Sequence, residues 1–117
     1  MPQRDPRVLL RHMLDFAREA CEMAADHARE DLDTQRQLSL SLTRLVEIVG
    51  EAAGQVPRAS QEQYPQVPWV DVVGMRHRLI HSYILVDHDI LWAVIQRNLP
   101  RLISDLEEVL AANGGTP

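Results

Sequence analysis

Apolar residues near the start of the chain recur as Leu9/Leu10, Met13/Leu14, Ala17, Ala20/Cys21 and Ala24, steps of three and four that place them on one helical stripe. Asp5-Pro6 supplies the entry, Asp as N-cap and Pro at the first helical position, so a helix is predicted over 5–29. The acidic turn Asp31-Leu32-Asp33 offers a second cap, and Leu38, Leu42, Leu45/Val46 and Val49 continue the same period in a helix over 34–53, ending near Gly54. Pro57, Pro65 and Pro68 break residues 55–68, with room for a short turn capped by Ser60 and reaching Tyr64. Pro68 then opens a helix over 69–83, and Asp87 caps a last one over 88–112. Its stripe runs from Ile90, Leu91, Val94 and Ile95 to Leu102, Ile103, Leu106, Val109 and Leu110, with a bend at Pro100 and an end at Asn113-Gly114-Gly115. No segment alternates as a strand would. The prediction is an all-α fold, an antiparallel four- to five-helix up-and-down bundle, forming one domain over 1–117 with a flexible tail at 113–117.

Composition narrows this picture. With 45% apolar residues but only 4% aromatic, the core must be filled by Leu, Val, Ile, Ala and Met, a palette that suits helices. Trp69 and Trp92 read as core anchors and the single cysteine, Cys21, as a small core residue without a disulfide partner. No apolar run approaches the roughly 18–20 residues that span a bilayer, and no signal peptide is evident, so a cytoplasmic protein without membrane contact is expected. The formal charge of −5 argues against general, sequence-independent binding to nucleic acid. Charge is unevenly spread, however. Segment 71–101 sets Arg76, Arg78, Arg97 and Arg101 against Asp71, Asp87 and Asp89, and adds His77, His81 and His88.

The candidate chemistry lies in that segment, in Arg76-His77-Arg78-Leu79-Ile80-His81-Ser82-Tyr83. On a regular helix Arg76 and Tyr83, seven apart, fall on nearly one line and can face one pocket, whereas His81 is about 140° from Arg76 and reaches that pocket only at the margin or across an interface. His77 and His81 share a face at the spacing of a helical metal pair, but no third ligand is evident beyond the unplaced Asp71 and His88, and no metal or cofactor is expected. Glu47 and Glu51, also four apart, form either a carboxylate pair or one solvated face. No phosphate loop, nucleophile elbow or cysteine metal pattern is present.

Several separated segments together carry a resemblance: Arg11-His12-Met13-Leu14-Asp15, Gly50-Glu51-Ala52-Ala53, Tyr64-Pro65-Gln66-Val67-Pro68-Trp69, Gly74-Met75-Arg76-His77 leading to His81-Ser82-Tyr83, Trp92, and Leu99-Pro100. The set resembles the HepT-like proteins of the HEPN superfamily, whose motif is Arg, a polar residue, three further residues and His, followed in this branch by Tyr. Arg76, His77, His81 and Tyr83 meet each element, with His77 standing where Asn is commonest. The resemblance implies a metal-independent RNA endonuclease acting as a homodimer, the toxin of a type VII-like toxin–antitoxin pair whose partner is a minimal nucleotidyltransferase. It implies Arg76 and His81 as catalytic residues, His77 and Glu51 as supporting groups, and Tyr83 as the acceptor of AMP from the partner. The competing expectation is a non-catalytic helical module that docks a nucleotide or the partner enzyme.

Overall fold

The computed structural model describes residues 5–79 and 85–112. They form α1 (Pro6–Ala24), α2 (Asp31–Thr34), α3 (Arg36–Gln55), α4 (Arg58–Gln63), α5 (Trp69–Leu79), α6 (His88–Ala93), a π-helical segment (Val94–Asn98) and α7 (Leu99–Ala112). No strand occurs among the described residues. The predicted tail at 113–117 lies outside them.

The apolar stripes are buried as the periodicity predicts. Leu10, Met13 and Leu14 of α1, Leu42 and Val46 of α3, and Leu99, Leu102 and Leu106 of α7 are almost fully enclosed in one core. Trp69 and Trp92 are half-buried and pack against it, as does Cys21. The direction of each helix follows from its cross-links. Arg18 pairs with Glu107, the Cys21 thiol approaches the Ile95 carbonyl and Arg29 pairs with Asp89, so α1 runs antiparallel to the last helix. Likewise Glu47 meets Arg76 while Gly50 lies against the carbonyls of Val72 and Val73, which makes α3 and α5 antiparallel. The result is an antiparallel helical bundle. No helix among the described residues is long and apolar enough to cross a membrane.

The first helix stops at Ala24 rather than near Arg29. The Ala24 carbonyl takes the His27 N–H in a turn, and the Asp31 carboxylate accepts from the Ala28 N–H at 2.8 Å and bonds the His27 ring at 3.1 Å. A short carboxylate side chain thus offers the backbone an alternative to the helix, and the turn lets Leu32 of α2 enter the core. These bonds, the Ala28 N–H first, hold the Asp31 pKa below the usual carboxylate value. Asp31 therefore serves this turn and does not cap the next helix, which starts at Arg36 after Gln35 without a side-chain cap.

Pro57, Pro65 and Pro68 confine α4 to a short helix, and the Trp69 indole N–H ties it down by donating to the carbonyls of Gln61 and Tyr64, both at 3.1 Å. At the far end the irregularity predicted at Pro100 takes the form of a π turn. The Leu99 N–H goes to the Val94 carbonyl and Pro100 has no N–H, so the Ile95 carbonyl loses both helical donors. The Cys21 thiol, 3.8 Å away, is placed to donate to it. Burial, followed by nearby Glu22, pushes the thiol pKa up and keeps that proton in place.

Asp87 ties the end of the motif helix α5 to the start of the last helix. Its N–H donates to the Leu79 carbonyl at 2.7 Å, and its carboxylate caps the last helix by accepting from the Ile90 N–H at 3.0 Å. Asp87→Ala should cost about 1 kcal/mol, the usual value of an N-cap, while Asp87→Asn or Asp87→Ser should recover most of it. Urea unfolding midpoints at a common slope measure the difference, and equal midpoints for wild type and Asp87→Ala would remove the capping role.

Candidate active site

Helix α5 presents the motif, and its residues sort by angle around the axis. Val72, Met75 and Leu79 are buried and fix the helix on the core. Arg76 projects from one flank towards α3, and Arg78 from the other flank, about 160° away, towards the last helix. Val70, Val73 and His77 occupy the outward face, with Val70 87% exposed.

The seating of α5 depends on Gly50 of α3. A Cβ there would lie 3.3 Å from the Val72 carbonyl oxygen, tighter than ordinary contact, so the two backbones approach because no side chain intervenes. The same antiparallel register that sets Gly50 against Val72 and Val73 sets Glu47 against Arg76. The Arg76 Nε donates to the Glu47 carboxylate at 3.1 Å. Glu47 is mostly enclosed, its side chain 18% exposed, whereas that of Arg76 is 56% exposed. This geometry braces the guanidinium by its Nε, and its two terminal nitrogens hold no carboxylate among the described residues. Those nitrogens form a planar donor fork suited to two oxygens of a phosphate.

Other candidates are placed less directly. Glu51 pairs with Arg44 at 3.2 Å on the surface of α3 and makes no bond to the motif arginine. His77 is exposed, one step beyond Arg76 on the outward face. His88 is bound to Asp33 at 2.8 Å, and Arg29 joins Asp33 to Asp89, so this imidazole is part of a clamp between α2 and α6. The His88 bond first, then Arg29, holds the Asp33 pKa below its usual value. His81 and Tyr83 lie outside the described residues. Arg76 is thus the motif residue with a defined partner, and that partner, Glu47, was visible in the sequence only as half of a possible surface pair. Its signal is the three-residue step to Gly50, which gains meaning once α3 and α5 are known to touch.

Comparison with known proteins places the chain among ribonuclease relatives. A chain from Caldanaerobacter subterraneus that bears an RNase name is 33% identical over 105 residues, 90% of this chain and 94% of the relative. One from Methanocaldococcus jannaschii, also bearing an RNase name, is 29% identical over 109 residues, 93% of this chain and all of the relative. One from Thermococcus cleftensis that bears the name ribonuclease HepT is 30% identical over 100 residues, 82% of this chain and 91% of the relative. No solved structure matches. The family model described as ribonuclease HepT-like matches residues 13–109, from the middle of α1 into the last turn of α7, so most of the bundle and all of the motif helix α5 are included and the chain belongs to the ribonuclease HepT-like family.

Proposed function

We propose that the protein is an endoribonuclease that cleaves RNA without a metal ion, acting as a homodimer and serving as the toxin of a toxin–antitoxin pair. The observation that carries this reading is Arg76, held by Glu47 through its Nε while the side chain stays 56% exposed, so that its terminal nitrogens are available to a phosphate. In such a reaction the 2′-hydroxyl loses a proton and attacks phosphorus, the 5′-oxygen leaves and gains a proton, and the growing phosphorane charge is stabilised. Arg76 meets the charge. His81 is assigned to proton transfer, and since one imidazole cannot readily be base and acid in the same step, two chains supply two copies. The outward face of α5 supports pairing there, because Val70 and Val73 are exposed beside His77. His77 is assigned a supporting polar role.

Control is assigned to Tyr83. Transfer of AMP from ATP by a cognate nucleotidyltransferase would join the phenolic oxygen to the α-phosphorus, release pyrophosphate and place a negative nucleotide near the motif, where it competes for the phosphate clamp. Incubation with the partner enzyme and ATP should add one AMP mass per chain at the peptide containing Tyr83, with loss of RNA cleavage. Neutralisation with an unmodified Tyr83 would refute this control. Sedimentation of the unmodified protein should give a dimer, and a concentration-independent monomer that still cleaves would refute the shared site.

A further inference from the structure

The flank of α5 opposite Arg76 borders a cavity of about 340 Å³ that closes against the π segment and α7. This volume lies within the range of small-ligand sites. Its floor is apolar, made by Val72, Met75 and Leu102, all buried. Its rim carries three exposed guanidiniums, Arg78 from α5 and Arg97 and Arg101 from the last helix. Elsewhere Arg11, Arg18, Arg29, Arg44 and Arg76 each hold a carboxylate. Among the described residues the three rim arginines hold none, and neither do Arg7, Arg36 and Arg58, each in the first turn of its own helix, but at the groove three such arginines converge.

Three unpaired like charges around one concavity repel one another, and an anion between them relieves that repulsion. Asp71 at the rim offsets one positive charge, leaving the cavity cationic. Asp71 and Asn98 also offer acceptors and donors to the edge of a base or to a sugar hydroxyl. An apolar floor beneath a guanidinium rim matches a nucleotide, with its flat base below and its phosphate above. Single-stranded RNA is recognised by bases stacked on aromatic rings or guanidinium planes, by edge contacts and by backbone phosphates, and this groove offers the guanidiniums and edge groups over an aliphatic floor in place of a ring.

We propose that this groove is a second RNA subsite, in which Arg78, Arg97 and Arg101 bind a backbone phosphate next to the one cleaved and the attached nucleoside lies over Met75 and Leu102. The proposal rests on the ribonuclease reading. Arg76 and Arg78 emerge on opposite flanks of one helix, whose diameter with side chains is about 10 Å. A strand crossing α5 at the level of His77, past the end of the face where Val70 and Val73 are assigned to pairing, therefore engages Arg76 at the scissile phosphate and the groove at a flanking nucleotide. The groove confers grip on the strand and takes no part in the chemical step.

The test uses the full-length protein and an Arg97→Gln/Arg101→Gln variant, both substitutions being at exposed positions. Anisotropy with a labelled 2′-O-methyl oligoribonucleotide, which lacks the attacking hydroxyl, reads binding alone. The variant should bind about tenfold more weakly, and the slope of log affinity against log salt should fall by about 0.7 for each phosphate no longer neutralised. With a cleavable strand KM should rise by about the same factor with kcat unchanged, and cleavage of a dinucleotide, too short to reach the groove, should not change. Equal affinity and salt slope for the two proteins, or an equal loss on the dinucleotide, would overturn the proposal. Groove-dependent binding of a strand that the protein never cleaves would uphold the subsite while refuting the ribonuclease reading, so the two failures are distinguishable.

Discussion

Replacing His81 with Ala should abolish detectable RNA cleavage, and Arg76→Ala should come close to it, with the far-ultraviolet circular dichroism and melting temperature of both proteins near wild type. A positioned proton-transfer group typically contributes about 10²–10⁴-fold to the rate, and in a dimeric site His81→Ala removes both copies. Loss of a donor that stabilises developing charge costs about 10²–10³-fold. The informative companion is Arg76→Lys. Lysine keeps the charge but has no Nε to rest on Glu47 and no planar fork, so its rate should stay far below wild type. Initial rates on a labelled single-stranded RNA under substrate saturation provide the measurement. Wild-type rates for His81→Ala would dismiss the assigned chemistry, and wild-type rates for Arg76→Lys would dismiss the bracing by Glu47.

Gly50→Leu should damage both stability and cleavage without touching the motif. The 3.3 Å separation from the Val72 carbonyl leaves no room for a branched side chain, so α5 must move away from α3. Overpacking of this kind costs about 1–3 kcal/mol, and the displacement separates Arg76 from Glu47. Gly50→Ala is the graded control. Its Cβ requires a shift of only a few tenths of an ångström, and alanine is favoured over glycine inside a helix by about 1 kcal/mol, so its stability should stay near wild type. Thermal melts and initial rates together decide. A Gly50→Leu protein with unchanged melting temperature and rate would show that close approach of the two helices does not matter.

Much of the fold was legible because amphipathic helices write their inward faces at steps of three and four. Leu10, Met13 and Leu14, or Leu102 and Leu106, are enclosed where that period puts them. The end of α1 was not legible, because Asp31 acts on the backbone behind it and the residues up to Arg29 are compatible with helix. The site divides in the same way. Arg76 could be singled out as a candidate from its motif. Glu47 was not, since its role depends on the register between two helices that no single stretch of sequence contains. The concentration of arginine between residues 71 and 101 was visible, but the convergence of Arg78, Arg97 and Arg101 needs the fold that brings α5 beside the last helix.

The wide turn at Val94–Asn98 also sets how the chain tolerates changes in length. Each residue of an ordinary helix advances the face by about 100°, so a single deletion rotates everything beyond it out of register with the core. A π turn already contains one residue more than an ordinary turn requires. A chain one residue shorter between positions 94 and 98 could close that turn as α-helix and keep Leu91 and Leu106 on the same inward line. The loss would fall on the groove side, where the π segment carries Arg97 and Asn98. A change of length at this point leaves the inward line of the core in place at the cost of the seat that the wide turn gives Pro100, and what varies with it is the surface offered to a ligand.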